Sequence, residues 1–210
     1  MAANKRVNEN YIHHCGSVQI EIASHIVSLS DMGYDASQTV KIIDFYLFHA
    51  PILKNDKSSN AFGLKSLKEF GWIGPQALSK LEGQLLKASN ISFFCFIKSD
   101  TIDGTLESMN LGDRICVEHP RAVLKQNVKA FIHEDGGTEL RQQETRMECL
   151  FRHIRNSLAH NHTYLFNNGN IMLEDTDDNG KISARILMPK LALLTWIDIV
   201  FQAYSDETIE

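Results

Sequence analysis

The amino-acid sequence predicts a mainly α-helical protein with a small antiparallel β-meander just before its last helix. Apolar residues recur three or four positions apart over several long segments, which is the periodicity of a helix with one buried face. Near the C-terminal end, three short strand-like segments are separated by Asn168-Gly169 and Asn179-Gly180. Both dipeptides favour the tight turns of β-hairpins.

Three helices are predicted in the N-terminal half. Apolar spacing indicates the first over about residues 8–29 and the second over about 37–50. The second ends before Pro51, because a residue that precedes proline disfavours helical backbone. A third helix is expected over about 75–88, since Pro75 lacks the N–H that the first turn of a helix leaves unused.

The middle of the chain has weaker patterns. Residues 55–60 are polar and predict a loop, and residues 100–118 show no clear period. The apolar run 91–97 fits a buried strand or a helix equally well by its period. A further helix is predicted over about 121–132.

The C-terminal third has the clearest pattern. A long helix is predicted over about 139–161, with an apolar stripe formed by Met147, Leu150, Phe151, Ile154 and Leu158. Three strands then follow, at 163–166, 171–175 and 182–188. A closing helix is expected over about 190–204, directly after Pro189.

Composition indicates an ordinary globular protein. The chain has 210 residues, of which 43% are hydrophobic and 22% charged, and this length predicts one domain over residues 1–210. No apolar run approaches the ~20 residues that span a bilayer. The first ten residues lack the apolar centre of a secretory signal. We therefore predict a cytoplasmic protein with no membrane partner.

Charge and cysteine content exclude some classes of function. The formal charge of −5 argues against a protein that coats nucleic acid over its whole surface, although a local basic site stays open. The four cysteines form no Cys-x-x-Cys pair, so neither a disulfide framework nor a zinc site is indicated.

Polar residues cover the arc of the 139–161 helix that lies opposite its apolar stripe. At ~100° per residue, this arc holds Glu144, Glu148, Arg152, Arg155, Asn156 and His160. Asn156 and His160 are four positions apart and share a face. Arg155 and His160 differ by ~140° around the axis and ~7.5 Å along it, and this spacing allows one shared ligand without requiring it. Such a row needs water, a substrate or a second subunit in front of it.

These side chains suit the cleavage of RNA. His160 can exchange protons near neutral pH, as attack by a ribose 2′-OH on the adjacent phosphorus requires. Arg155 offers a permanent, planar charge to a phosphate oxyanion. Asn156 can orient the imidazole or bind the phosphate. Neither step needs a metal or cofactor, and a structural role, with His160 near the helix dipole and Arg155 paired to a carboxylate, remains an alternative.

The run Arg155-Asn156-Ser157-Leu158-Ala159-His160 resembles the motif of the HEPN superfamily (higher eukaryotes and prokaryotes nucleotide-binding). In that motif Arg and His are four to six residues apart, and Asn often follows the Arg. The hairpins and the closing helix, through Trp196 and Ile199, are similar to a bacterial and often plasmid-borne subgroup. The resemblance is strongest over about 139–204, within a motif-bearing part at about 136–205.

The resemblance implies an α-helical bundle and a homodimer formed through the motif helix, with two motifs facing one cleft. It implies a metal-independent endoribonuclease that leaves a 2′,3′-cyclic phosphate on its RNA substrate. Such proteins serve as toxins, with an antitoxin protein as a partner, or in phage defence. Arg155 and His160 carry over as catalytic residues and Asn156 joins them, with Glu148 and Arg152 as supporting residues. The alternative is an inactive module that binds a nucleotide, RNA or protein.

Two other motifs point to metals but do not fit. The residues Asp175, Asp177, Asn179 and Gly180 match the opening of a calcium-binding loop, yet its twelfth position is Ile186 instead of glutamate. We therefore predict a hairpin turn there. His160-Asn161-His162 shares its letters with a metal-nuclease motif whose residues come from separate strands and a helix, so their adjacency here counts against that motif.

Overall fold

The computed structural model describes residues 20–21, 29, 32–53, 64–112, 115–131 and 140–206. In chain order its helices are α1 (Ala36–Ile43), a π-helical turn (Asp44–Phe48), a 3-10 helix (Leu67–Phe70), α2 (Gly74–Ser89), α3 (Asp103–Ser108), α4 (Arg146–Ala159) and α5 (Ala192–Asp206). Its strands are β1 (Ile20–Glu21), β2 (Phe94–Ile97), β3 (Arg121–Lys125), β4 (Val128–Phe131), β5 (Leu140–Gln143), β6 (Thr163–Phe166), β7 (Asn170–Thr176) and β8 (Ile182–Pro189).

Six of these strands form one mixed sheet in the order β1-β6-β7-β8-β3-β2. All neighbours are antiparallel except β2 and β3, which run parallel. The strands β4 and β5 form a separate antiparallel pair. Tight turns join β6 to β7 and β7 to β8, with Gly169 at φ +82° and Gly180 at φ +74°. Only glycine adopts this backbone readily, which explains both Asn-Gly turns.

Apolar side chains bury both faces of this sheet. Because successive strand residues point to opposite faces, Ala122 and Leu124 join one buried cluster and Val123 joins another. The larger cluster contains apolar residues of α1, α2, α4 and α5. The smaller one contains Ile102, Leu106 and residues of the segment that follows α3. Both faces of β3 are therefore apolar, whereas β7 and β8 also bury the ion pair of Glu174 with Arg185.

The prediction of a mainly α-helical bundle with only a small β-meander is wrong. The meander exists, but it is the centre of a larger mixed sheet, and the fold combines α and β structure. The segment 121–132, predicted as a helix, contains strands β3 and β4. Each of these strands has only four or five residues, too few for the apolar period to decide. For β3, pairing with β8, where Ala122 lies opposite Ile186, decides for a strand.

The start of α4 was also predicted too early. Leu140–Gln143 pairs with β4, so the helix begins at Arg146 instead of near residue 139. Within the segment predicted as a helix over 8–29, Ile20–Glu21 is a strand paired with β6. The rest of that segment, apart from Leu29, and the loop predicted at 55–60 lie outside the described residues.

Other predicted elements are confirmed. The three strands of the meander differ from their predicted bounds by at most one residue at either end. The helices predicted over 75–88 and 190–204 correspond to α2 and α5, and the helix over 37–50 corresponds to α1 with its π-helical turn. The run 91–97, which the period left open, contains strand β2. None of the helices in the described ranges is long and apolar enough to cross a membrane.

Candidate functional site

Helix α4 begins with a capping box. The backbone N–H of Glu148 donates to Thr145 Oγ1 at 3.2 Å, and that of Thr145 donates to Glu148 Oε2 at 2.9 Å. Glu148 is only 7% exposed. It lies twelve residues before His160, or ~18 Å along the axis at 1.5 Å per residue. Glu148, a predicted supporting residue of the site, therefore holds the opposite end of the helix from His160.

Arg152, the other predicted supporting residue, forms a buried ion pair. Its Nε donates to Glu144 Oε1 at 2.6 Å and its Nη2 to Glu144 Oε2 at 3.0 Å. Nη2 also lies 3.0 Å from the carbonyl oxygen of Lys125, at the end of β3. The two side chains are 19% and 2% exposed. This bidentate pair fixes α4 against β3 and the segment after β5.

A buried histidine that the sequence reasoning missed lies next to this pair. His153 is 0% exposed, and its Nδ1 donates to Asp175 Oδ2 on β7 at 2.6 Å. The amide of Asn156 donates to the same oxygen at 3.1 Å. We call Glu144, Arg152, His153, Asn156 and Asp175 the buried network. One feature of the sequence indicated this role: His153 is next to the apolar stripe of α4, which predicts a buried ring. A buried polar group needs a hydrogen-bond partner.

Asp175 is ionised at the centre of the buried network. Burial by itself would raise its pKa, but the hydrogen bond and charge of His153 act in the opposite direction. The amide of Asn156 and the charge of Arg152 lower it further. The pKa of Asp175 therefore lies below its ordinary value, so folding is stabilised by the charged form.

We expect Asp175→Asn to destabilise the fold by about 1–3 kcal/mol at neutral pH, because it weakens hydrogen bonds to a charged group. A lowered carboxyl pKa stabilises the folded state above the unfolded-state pKa, and this contribution is lost as the pH falls. The difference between wild type and variant should therefore be full above about pH 5 and shrink below 3.8, the ordinary aspartate pKa.

Urea unfolding at a series of pH values measures this difference. Asp178→Asn, at an exposed turn position, is the matched control and should change stability little at any pH. A difference that stays constant, or that grows on acidification, would contradict the assignment of Asp175 as a stabilising anion.

Arg155 points away from the buried network. Its Nε donates to the carbonyl oxygen of Leu47, in the π-helical turn, at 3.4 Å. The other two arginines of α4 pair with carboxylates: Arg152 with Glu144, and Arg146 with Glu82 at 2.7 Å. Among the described residues Arg155 has no carboxylate partner, and its two terminal nitrogens make no hydrogen bond. Its charge is therefore available to an anion.

His160 lies at the exposed C-terminal end of α4. Its backbone N–H donates to the carbonyl oxygen of Asn156 at 2.9 Å and closes the helix. Its ring lies near that of His162, with centroids 6.2 Å apart. No hydrogen bond joins His160 to Arg155 in the part of the chain that the structure describes. The predicted polar row is thus divided into Asn156 in the buried network, Arg155 at the π-helical turn and His160 at the helix end.

The hairpin predicted in place of a calcium loop is confirmed. Asp177 Oδ1 accepts hydrogen bonds from the backbone N–H groups of Asn179 and Lys181, each at 2.9 Å. Such contacts to following N–H groups are typical of a turn. The described residues contain no group of three or more His, Cys, Asp or Glu side chains arranged to hold a metal ion.

Comparison with known proteins bears on the same part of the chain. No curated protein matches the sequence, and no solved structure does. The family described as HEPN pEK499 p136 matches residues 87–210. The match covers more than half of the chain, including α4, its Arg-Asn-x-x-x-His run, the meander and α5. From this extent of similarity, the chain belongs to the HEPN pEK499 p136 family.

Proposed function

We propose that this protein is a metal-independent endoribonuclease of HEPN type. In the proposed reaction a ribose 2′-OH attacks the adjacent phosphorus, leaving a 2′,3′-cyclic phosphate and a 5′-OH. The observation that carries the proposal is the state of the α4 arginines: Arg155 alone among them lacks a carboxylate partner in the described ranges, and it precedes the exposed His160 in a family of nucleotide-binding type.

Arg155 would stabilise the charge that develops on the phosphate. A guanidinium stays protonated at any physiological pH and presents a planar set of donors to phosphate oxygens. Only the Nε of Arg155 is engaged among the described residues. The terminal nitrogens can therefore bind a phosphate without first breaking an ion pair. Breaking an ion pair would reduce the free energy gained on binding.

His160 would accept the proton of the attacking 2′-OH. An imidazole exchanges protons near neutral pH, and the ring is exposed to solvent, where a substrate can reach it. Asn156 would support this site from one turn earlier in the helix. Its amide nitrogen is fixed by Asp175, so the orientation of the side chain is set before any substrate binds.

We place the homodimer contact at the C-terminal end of α4. Most side chains between Met147 and Ser157 are buried within the chain, so this stretch has little surface left for a second subunit. Ala159 and His160 are exposed, and Phe48, which follows the Leu47 that binds Arg155, is 47% exposed. A second copy at this end would bring two Arg155–His160 sets to one cleft.

A role as a toxin with a protein antitoxin, or in phage defence, accords with such an activity.

A second candidate function is an inactive module that binds RNA, a nucleotide or a protein. The absence of a hydrogen bond between Arg155 and His160 in the described residues favours it, because binding of a phosphate by Arg155 does not require a nearby base. The two candidates differ in one outcome, which is whether a bond in the RNA is broken.

The test incubates varied RNA oligonucleotides with the purified protein, with and without EDTA. For an oligonucleotide that is cleaved, the matched control is the same sequence with a single 2′-deoxy sugar at the cleaved position. We expect cleavage of the RNA to 2′,3′-cyclic phosphate ends and none at the 2′-deoxy position, since the nucleophile is missing. Cleavage at the 2′-deoxy position, or activity abolished by EDTA, would refute the proposed chemistry, and binding without cleavage across varied RNAs would favour the module.

A further inference from the structure

A second imidazole is held beside His160. The ring centroids of His160 and His162 are 6.2 Å apart and the ring planes are inclined by 39°. Asn161 between them has φ +56°, a left-handed conformation that turns the chain out of α4. The two rings therefore meet at the end of the helix instead of following the helical path.

Backbone hydrogen bonds fix the position of His162. Its N–H donates to the carbonyl oxygen of Ser157 at 2.8 Å, and its carbonyl oxygen accepts from the N–H of Glu174 at 2.9 Å. The first bond ties the residue to α4 and the second ties it to β7. The backbone of His162, from which its ring extends toward His160, is thus held by both the helix and the sheet.

We propose that His162 is the general acid of the proposed ribonuclease, an inference that rests on that proposed function. The reaction needs two proton transfers, but the Arg155–His160 motif contains only one imidazole, and a guanidinium stays protonated and cannot replace a second one. Neutral His160 takes the proton of the 2′-OH as its oxygen bonds to phosphorus. The bond from phosphorus to the 5′-oxygen breaks, and protonated His162 gives its proton to that oxygen.

The separation of the rings suits one phosphodiester. A hydrogen bond from a ring nitrogen to an oxygen is ~2.7–3.2 Å long, so both rings must lie close to the same phosphate to act on it. Rings with centroids 6.2 Å apart are close enough for one phosphodiester, bound over the pair, to place its attacking oxygen at one ring and its leaving oxygen at the other. A pair of one base and one acid also restores itself when water opens the cyclic phosphate, since the two roles then exchange.

The test compares two RNA oligonucleotides of one sequence, with either oxygen or sulfur as the bridging 5′ atom at the cleaved linkage. A thiolate leaves without being protonated, so the sulfur substrate needs no acid. We expect His162→Ala to reduce cleavage of the oxygen substrate by about 10²-fold or more and to cleave the sulfur substrate at nearly the wild-type rate. His160→Ala should be impaired on both substrates, and His119→Ala, at an exposed position, should be impaired on neither.

Other outcomes overturn the assignment. Equal loss on both substrates by His162→Ala, and by His162→Asn if the alanine variant is unstable, would mean that His162 is not the acid. Recovery of His160→Ala on the sulfur substrate would reverse the two roles. Cleavage of the oxygen substrate by His162→Ala at the wild-type rate would overturn only the assignment of His162 as the general acid. Failure of the wild type to cleave either substrate would overturn the proposed ribonuclease itself.

Discussion

Replacing His160 with alanine is expected to reduce RNA cleavage by about 10²–10⁴-fold, the usual contribution of a general base. Stability should change little, because the ring is exposed and the N–H that closes α4 belongs to the backbone, which alanine keeps. The measurement is the single-turnover rate on a defined RNA, together with the midpoint of thermal unfolding. A large loss of rate with an unchanged midpoint separates chemistry from folding.

Arg155→Ala provides the companion measurement for the same site. Loss of one donor to a developing oxyanion costs about 10²–10³-fold in rate, and Arg155→Lys should recover only part of it, because an ammonium lacks the planar fork. His119→Ala controls for the loss of an exposed histidine elsewhere. Full activity of the His160→Ala variant would refute the assigned base, since the protein would then be using another group.

The largest effect on stability is expected at Arg152. Arg152→Met should reduce the free energy of unfolding by about 3–5 kcal/mol, because removal of one partner leaves a buried charge uncompensated. That charge is Glu144, whose side chain is 2% exposed. A loss of this size is a large part of the roughly 5–15 kcal/mol that stabilises a typical domain. Urea unfolding measures it, and the double variant Glu144→Gln with Arg152→Met should recover part of the loss.

Arg146→Met is the matched control for this prediction. Arg146 is also on α4 and also pairs with a glutamate, Glu82, at 2.7 Å, but its side chain is 53% exposed. An ion pair in contact with solvent contributes about 0–1 kcal/mol, so this variant should lose far less than Arg152→Met. Similar losses in the two variants would show that burial does not set the energy of the Arg152–Glu144 pair.

Helix α4 thus has two parts with different roles. Its first two turns carry the capping box of Glu148, the Arg152–Glu144 pair and His153, all of which hold the helix in the fold. Its second half carries Arg155, free of carboxylates in the described residues, and ends in the exposed His160. Variants in the first two turns should act on stability, and variants of Arg155 and His160 should act on cleavage.

Local features of the sequence determined much of this protein. The Asn-Gly turns located the ends of β6, β7 and β8 to within one residue. A left-handed turn depends only on the residues of the turn itself, so the local sequence is enough to predict it. Helical periodicity located α2, α4 and α5, since it depends on contacts between residues three and four apart. The Arg-Asn-x-x-x-His run indicated the family that the similarity over residues 87–210 shows.

Only the tertiary structure decided the sheet and the separation of the polar row. Strand β3 forms because it pairs with β8 some sixty residues later, and no local period records that pairing. Arg152 and Arg155 are the same residue type three positions apart on one helix. Arg152 contacts Glu144 and β3, and its charge is neutralised. Among the described residues Arg155 donates only to a carbonyl oxygen of the π-helical turn. Whether a charge is compensated depends on which residues pack against it, and those residues are distant in the sequence.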